Sequence, residues 1–315
     1  TTLEMNIGDM MAYMQYAMQI IMAFLFLAMM YILVPRAIVS VNRIQEVLET
    51  EPTILDPDVP QNFPEPFYGE VRYEDVSFRY PGGEDDVLRR ISFTARPGTT
   101  TAFIGATGSG KSTLVNLLIR FYDVTGGRIT VSGRDIRDVR LHDLREKVGY
   151  VPQKSVLFSG TIRSNLAYSD PDMHQENVER AARIAQAADF IGEKPDRYDE
   201  SIAQGGGNVS GGQKQRLSIG RAVAKNAPVY VFDDSFSALD LKTDRRLREA
   251  LGSELSDATK LIVAQRVSTV MNADQIVVLD GGEVVGIGTH RTLLETCPVY
   301  HEIAASQLSE EELKK

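Results

Sequence analysis

Residues 10–34 contain no charged side chain, and this run of about 25 positions exceeds the roughly 20 that an α-helix needs to cross a bilayer. A transmembrane helix is predicted there. A cleaved leader fits poorly, because the run is too long, lacks a basic lead-in and ends without a small-residue cleavage site. Glu4 and Asp9 precede it while Arg36 and Arg43 follow, so the bias of basic residues toward the inner face puts the remainder of the chain in the cytoplasm. Beyond Pro35, the positions Ile38, Val41, Ile44, Val47 and Leu48 keep helical spacing to about Glu49. One element, kinked at most by the proline, is therefore expected to leave the membrane and enter the cytoplasm. Met11, Met14, Met18 and Met22 recur on this helix beside Gln15 and Gln19, which suits either plain packing or an adaptable wall for varied hydrophobic ligands.

The pattern then changes twice. Pro52, Pro57, Pro60, Pro64 and Pro66 fall within residues 51–66, which predicts an extended linker between a segment 1–50 and a domain over 67–308. Residues 71–80 and 87–95 read as strands of an antiparallel edge. After them short apolar runs at 99–104, 128–131, 148–151, 229–232, 260–264 and 276–279 alternate with helical periodicity, an α/β pattern with a parallel core. A helical stretch at about 160–188 interrupts the alternation as a separate lobe, and the charged tail 309–315 is expected to fray.

Composition narrows the partners. With 34 basic against 43 acidic residues, a net charge of −9 and no long basic run, the chain is not built to hold nucleic acid. Its one cysteine, Cys297, excludes an internal disulfide, suits a cytosolic face and is expected to be a buried, inert thiol.

The chemistry centres on Gly105, Ala106, Thr107, Gly108, Ser109, Gly110, Lys111 and Ser112, which fit the phosphate-loop pattern at every fixed position. Glycines let backbone N–H groups close around phosphates, Lys111 adds a cation, and the Ser112 hydroxyl suits Mg2+ at the start of a helix predicted over 111–121. Thr113 follows in the first helical turn. A second loop, Asn208-Val-Ser-Gly-Gly-Gln213, opens another apolar-periodic helix over about 214–225, so Ser210, Gly211 and Gly212 form a further anion-binding helix start. Two such loops in one chain make sense if the second caps a nucleotide held by another subunit.

These motifs, in this order, resemble the nucleotide-binding domain of ATP-binding cassette (ABC) exporters over about residues 67–307, with the first 49 residues similar to the last transmembrane helix of such an exporter. The resemblance implies a P-loop α/β domain with a parallel core sheet, an antiparallel edge and a helical lobe, binding ATP and Mg2+. It implies that Tyr80 stacks on adenine, residues 105–113 bind the phosphates, and Gln153 lies near Mg2+ and the membrane domain. Ser210 to Gln213 are then the signature, Asp233 joins Ser112 at the metal, and Asp240 ends the D-loop that begins at Ser237.

Two positions depart from the family. Asp234 stands where most members have glutamate, and Gln265 where most have the switch histidine. Aspartate is shorter by one methylene, which would set its carboxylate back about 1.5 Å, and a 1 Å misplacement can cost about a hundredfold. Gln265 can hydrogen-bond a phosphate but cannot become cationic. With an intact signature, this resembles the weakly hydrolytic half of heterodimeric multidrug exporters. The expectations are thus a C-terminal portion of a longer, multi-pass cell-membrane subunit, with five more membrane helices upstream. Its partner would be a second half-transporter and its cargo small hydrophobic molecules. A regulatory nucleotide sensor and a homodimeric exporter with two slow sites are the alternatives.

Overall fold

The computed structural model describes residues 6–309 and divides the chain into two compact units, the first ending at Thr53 and the second beginning at Ile54. Glu4 and residues 310–315 of the predicted tail lie outside the described residues. The first unit is a single helix, α1 (Ile7–Leu48), which continues through Pro35 and buries none of its residues within its own unit. Its 42 residues give a length of about 63 Å. Among the described residues it is the one helix long and apolar enough to cross a membrane.

The second unit opens with an irregular strap rather than a free spacer. Arg120 Nη2 donates to the Leu55 carbonyl at 3.1 Å, Asp56 Oδ1 accepts from the Leu141 amide at 2.7 Å, and the Gln61 amide donates to the Asp138 carbonyl at 2.7 Å. Phe63 and Phe67 meet edge to face at 5.3 Å and pack against the core. The prolines keep this segment from forming a helix, and its backbone groups find partners on the domain instead.

In chain order the domain then runs β1 (Val71–Phe78), β2 (Leu88–Ala95), β3 (Thr100–Ile104), α2 (Lys111–Leu118), β4 (Gly126–Val131), β5 (Arg134–Asp135), α3 (Leu141–Glu146) and β6 (Val148–Val151). The lobe follows as β7 (Gly160–Thr161), α4 (Ile162–Leu166), α5 (Gln175–Ile184), α6 (Ala188–Gly192), β8 (Ser201–Ile202) and α7 (Gly211–Ala224). The chain closes with β9 (Val229–Asp233), α8 (Leu241–Glu254), β10 (Thr259–Val263), α9 (Val267–Val270), β11 (Gln275–Asp280), β12 (Glu283–Gly288), α10 (His290–Thr296) and α11 (Pro298–Gln307).

One sheet has the order β12-β11-β3-β10-β9-β6, parallel throughout except for the edge strand β12. Its strands β9 and β10 are buried along their whole length, as strands covered on both faces must be. The other sheet, β2-β1-β4-β5, is antiparallel. This corrects the reading of residues 128–131 as a strand of the parallel core. Ile129 and Val131 pair with Tyr73 and Val71 of β1, and all four bury against Leu114, Leu117 and Leu118 of α2. A short apolar run specifies burial, not the neighbour it pairs with.

The helical lobe is also longer than 160–188, because α7 packs into it. Gly220 makes the approach possible: a Cβ there would lie 2.7 Å from Leu166 Cδ2 and 3.4 Å from Ala185 Cβ. Arg221 of α7 then donates to the Asn165 carbonyl at 3.0 Å and the Val156 carbonyl at 3.0 Å, fastening lobe to core. Cys297 is buried at 3 % exposure beneath β12.

Candidate nucleotide-binding site

Strands β3, β9 and β10 lie side by side and parallel, so the loops leaving their C-terminal ends converge, the position where open α/β sheets bind ligands. The loop after β3 is residues 105–110. At Gly105 a Cβ would lie 2.0 Å from the Leu279 carbonyl oxygen, so only glycine lets the loop press against β11. Lys111 opens α2 with its ammonium folded over the loop, donating to the Gly105 carbonyl at 2.9 Å, the Ala106 carbonyl at 2.7 Å and Ser109 Oγ at 3.3 Å. Burial holds this lysine below its ordinary pKa, opposed by the nearby Asp234 and Asp233. Gly108 and Gly110 complete the turn, and Thr107 lies on its exposed side.

Ser112 Oγ donates to Asp233 Oδ1 at 2.9 Å, linking residues 121 positions apart. A hydroxyl and a carboxylate so placed are hard oxygen ligands of the kind Mg2+ takes, with phosphate and water supplying the rest. Among the described residues no cluster of three or more His, Cys, Asp or Glu could hold a metal without such help. The donor set thus fits Mg2+ bound together with a nucleotide. Burial raises the Asp233 carboxyl, with Asp234 adding to the rise and the Ser112 hydrogen bond and Lys111 opposing it.

Asp234 follows directly, in a left-handed conformation at φ +45°, with its amide donating to the Val263 carbonyl at 3.0 Å. A non-glycine residue held there is uncommon and turns the side chain out of the strand direction. Its Oδ2 accepts from Gln265 Nε2 at 2.8 Å and, more weakly, from Gln153 Nε2 at 3.4 Å. Burial raises the Asp234 carboxyl; Gln153, Lys111, Arg266 and Gln265 all pull the other way. The two departures from the family pattern are therefore hydrogen-bonded to each other.

Of the other sequence-predicted residues, Ser210 to Gln213 and Asp240 sit apart from this cluster, while Tyr80 joins it at Thr113. Ser210 caps α7 reciprocally with Gln213: Ser210 Oγ accepts from the Gln213 amide at 3.3 Å and Gln213 Oε1 from the Ser210 amide at 3.1 Å. Gly211 and Gly212 form the first turn, and among the described residues no hydrogen bond joins this loop to residues 105–113. Asp240 caps α8, accepting from the Thr243 amide at 3.0 Å, an interaction that holds its carboxyl below the usual range. Tyr80 Oη shares a 2.9 Å hydrogen bond with Thr113 Oγ1, and its ring meets Phe78 and Tyr122 edge to face.

One residue escaped the sequence reading. Gln307, at the end of α11, donates from Nε2 to the Gln265 carbonyl at 3.0 Å and accepts at Oε1 from the Val267 amide at 2.8 Å. It clamps the backbone on either side of Arg266, which itself donates to the Ser237 carbonyl at 3.1 Å. No sequence signal marks Gln307, since it lies 42 positions from its partner in a helix without a motif.

Comparison with known proteins places these features in a family. The family profile described as ABC transporter matches residues 88–237. An uncharacterized ABC transporter ATP-binding protein of Mycobacterium tuberculosis (strain ATCC 25618 / H37Rv) is 47% identical over 307 residues, 96% of this chain and 52% of the relative. An ATP-dependent lipid A-core flippase of Syntrophus aciditrophicus (strain SB) is 40% identical over 280 residues, 89% of this chain and 46% of the relative. Among solved structures, a bacterial Atm1-family ABC exporter with ATP bound matches 97% of this chain and 53% of its own, at 34% identity and a TM-score of 0.84. The chain spans about half the length of the curated relatives it matches. Phosphate loop, signature, converging strand ends and these likenesses agree: the chain carries the ATP-binding domain of an ABC transporter.

Proposed function

We propose that this chain is the ATP-binding part of an exporter subunit whose own nucleotide site binds Mg-ATP firmly but hydrolyses it slowly, and which works as one half of a heterodimer. The observation that carries this reading is the bond from Gln265 Nε2 to Asp234 Oδ2 at 2.8 Å. A base that orients water needs a free oxygen within about 3 Å of its target. Here one oxygen of a short side chain is already engaged by two amides, and neither Gln265 nor Gln153 can take up a proton.

Binding rests on other residues. Residues 105–112 and Lys111 would hold the phosphates, Tyr80 would support the adenine, and Ser112 with Asp233 would hold Mg2+. Held by Ser112 and Asp233, the cation would supply positive charge that offsets the phosphates. Lys111 Nζ exchanges one of its loop carbonyl contacts for a phosphate oxygen as the nucleotide seats. On a dimer, Ser210 and the amides of Gly211 and Gly212 would face the nucleotide of the partner, donating from a helix start where negative charge is favoured. ATP binding across the pair would then close the domains and, through α1 and the remaining membrane helices, move cargo outward from the cytoplasmic side of the cell membrane. The relatives named lipid A-core flippases support an amphipathic cargo, within the wider class of lipids, drugs and peptides.

The test is ATPase activity of the subunit with and without its partner. Alone it should turn over slowly; paired, Asp234→Ala should leave turnover nearly unchanged while Ser210→Arg should nearly abolish it. Loss of most activity in Asp234→Ala with Ser210→Arg intact would make this chain's own site the working one.

A further inference from the structure

Among the described residues two lysines are buried, Lys111 at 7 % exposure and Lys260 at 4 %. Neither has a carboxylate within ion-pair distance, although buried charges ordinarily have a counter-ion. For Lys111, on the function proposed above, that counter-ion would be the nucleotide phosphate. Lys260 sits in β10, and its Nζ donates to the Leu255 carbonyl at 2.8 Å and the Ala258 carbonyl at 3.1 Å. Those two bonds finish the end of α8 and leave the third N–H of the ammonium without a protein acceptor.

Lys260 lines a cavity of about 470 Å³ between α8, β10 and the segment that follows Gln265. That volume falls within the about 300–1,000 Å³ usual for small-molecule sites. Phe232, Leu251 and Ile262 provide apolar wall, each no more than 6 % exposed. The two arginines at the cavity are already neutralised, Arg245 by Glu249 at 2.9 Å and Arg248 by Asp244 at 3.1 Å. Lys260 is thus the one cation there without a carboxylate of its own, while Asp274 and Asp257 act on it only through space.

We propose that this cavity is a binding site for a small organic monocarboxylate, its head on the Lys260 ammonium and its apolar body against Leu251, Ile262 and Phe232. A cation with a free N–H and no ion-pair partner calls for a single negative charge, and the apolar wall calls for a hydrocarbon body rather than an inorganic anion. The site is separate from the phosphate loop, yet its walls begin at the nucleotide site: α8 starts beside Asp240, and α9 starts beside Arg266, the neighbour of Gln265.

Phenylacetate is the probe, with uncharged phenylacetamide as its match, titrated into the full chain in lipid nanodiscs with and without saturating Mg-ATP and followed by calorimetry and ligand-observed NMR. Saturable binding is expected, weaker by about tenfold or more for the amide and in Lys260→Met, as for a lost hydrogen bond to a charged group. Because Lys260→Met also removes the α8 contacts, Gly252→Leu is the second variant. Gly252 lines the cavity and an added Cβ there meets nothing within 4 Å, so leucine should block the probe while the fold stays intact. The proposal is overturned if phenylacetate shows no saturable binding, if ATP displaces it, if the amide binds equally well, or if Gly252→Leu folds and binds unchanged.

Discussion

Gln265 Nε2 and Asp234 Oδ2 lie 2.8 Å apart, so Gln265 holds the Asp234 carboxylate rather than standing clear of it. Neighbouring parallel strands create the contact: β9 delivers Asp234, β10 delivers Gln265, and the Asp234 amide bonds back to Val263. Gln265 cannot take a proton from water or phosphate, so its amide serves to fix the carboxylate.

Restoring both side chains should therefore change chemistry more than binding. Asp234→Glu with Gln265→His is expected to raise hydrolysis at this site by about 10- to 100-fold, the scale set by about 1 Å of repositioning. The single changes should fall short of half of that gain each, because the two residues touch. Single-turnover rates for the four variants in the paired complex give the coupling; a simply additive cycle would show the contact to be idle.

Lys111→Ala should weaken Mg-ATP binding by about 10- to 100-fold, as expected for hydrogen bonds from a charged donor. Tyr80→Ala should lose about 1–3 kcal/mol if the ring stacks on adenine. Tyr80→Phe removes only the bond to Thr113 and should stay close to wild type. Titration with a fluorescent ATP analogue separates these cases, and equal losses in the two Tyr80 variants would assign the effect to Thr113 instead of the base.

Burial raises the Asp234 carboxyl above its ordinary 3.8, so the folded chain holds this proton more tightly than the unfolded chain does. Below that ordinary value both states are protonated and nothing is lost; as pH rises through the folded value, stability falls because a charged carboxylate is left buried. Without nucleotide or Mg2+, Asp234→Asn should accordingly melt higher than wild type near neutral pH, and the gap should close toward about pH 4. Thermal melts across that range check the sign, and a gap that widens with acid would contradict it.

Gln307→Ala should loosen the loop that carries Gln265 by removing both halves of the clamp. A loss of about 1 kcal/mol in stability is expected for one exposed and one part-buried hydrogen bond, with little change in nucleotide affinity. Faster hydrogen exchange confined to the Val267 amide region would identify the clamp as the cause. Exchange unchanged there would mean that β10 alone holds the loop.

Much of this domain was legible in its sequence. The phosphate loop is eight consecutive residues whose types follow from wrapping an anion, and the signature caps its own helix through Ser210 and Gln213, three positions apart. The strands at 148–151 and 229–232 announced themselves as short apolar runs, and the charge-free run 10–34 as a helix that α1 contains. All of these are local: the residues that carry the information are also neighbours in space.

What the chain could not disclose was partnership across distance. Strand 128–131 looked like its parallel counterparts but joined the antiparallel sheet, because pairing is decided by which apolar face covers α2. Gln153 and Gln265 reach one oxygen of Asp234 from 81 and 31 positions away, Gln307 reaches the same loop from the last helix, and Lys260 looks like an ordinary charged residue until β10 carries it inside. Sequence determined which groups were available, since phosphate binding and helix starts depend on residue type at fixed spacing. Tertiary structure decided which of them meet, because the order of strands in a sheet is set by the packing of both faces at once and no short stretch of chain encodes it.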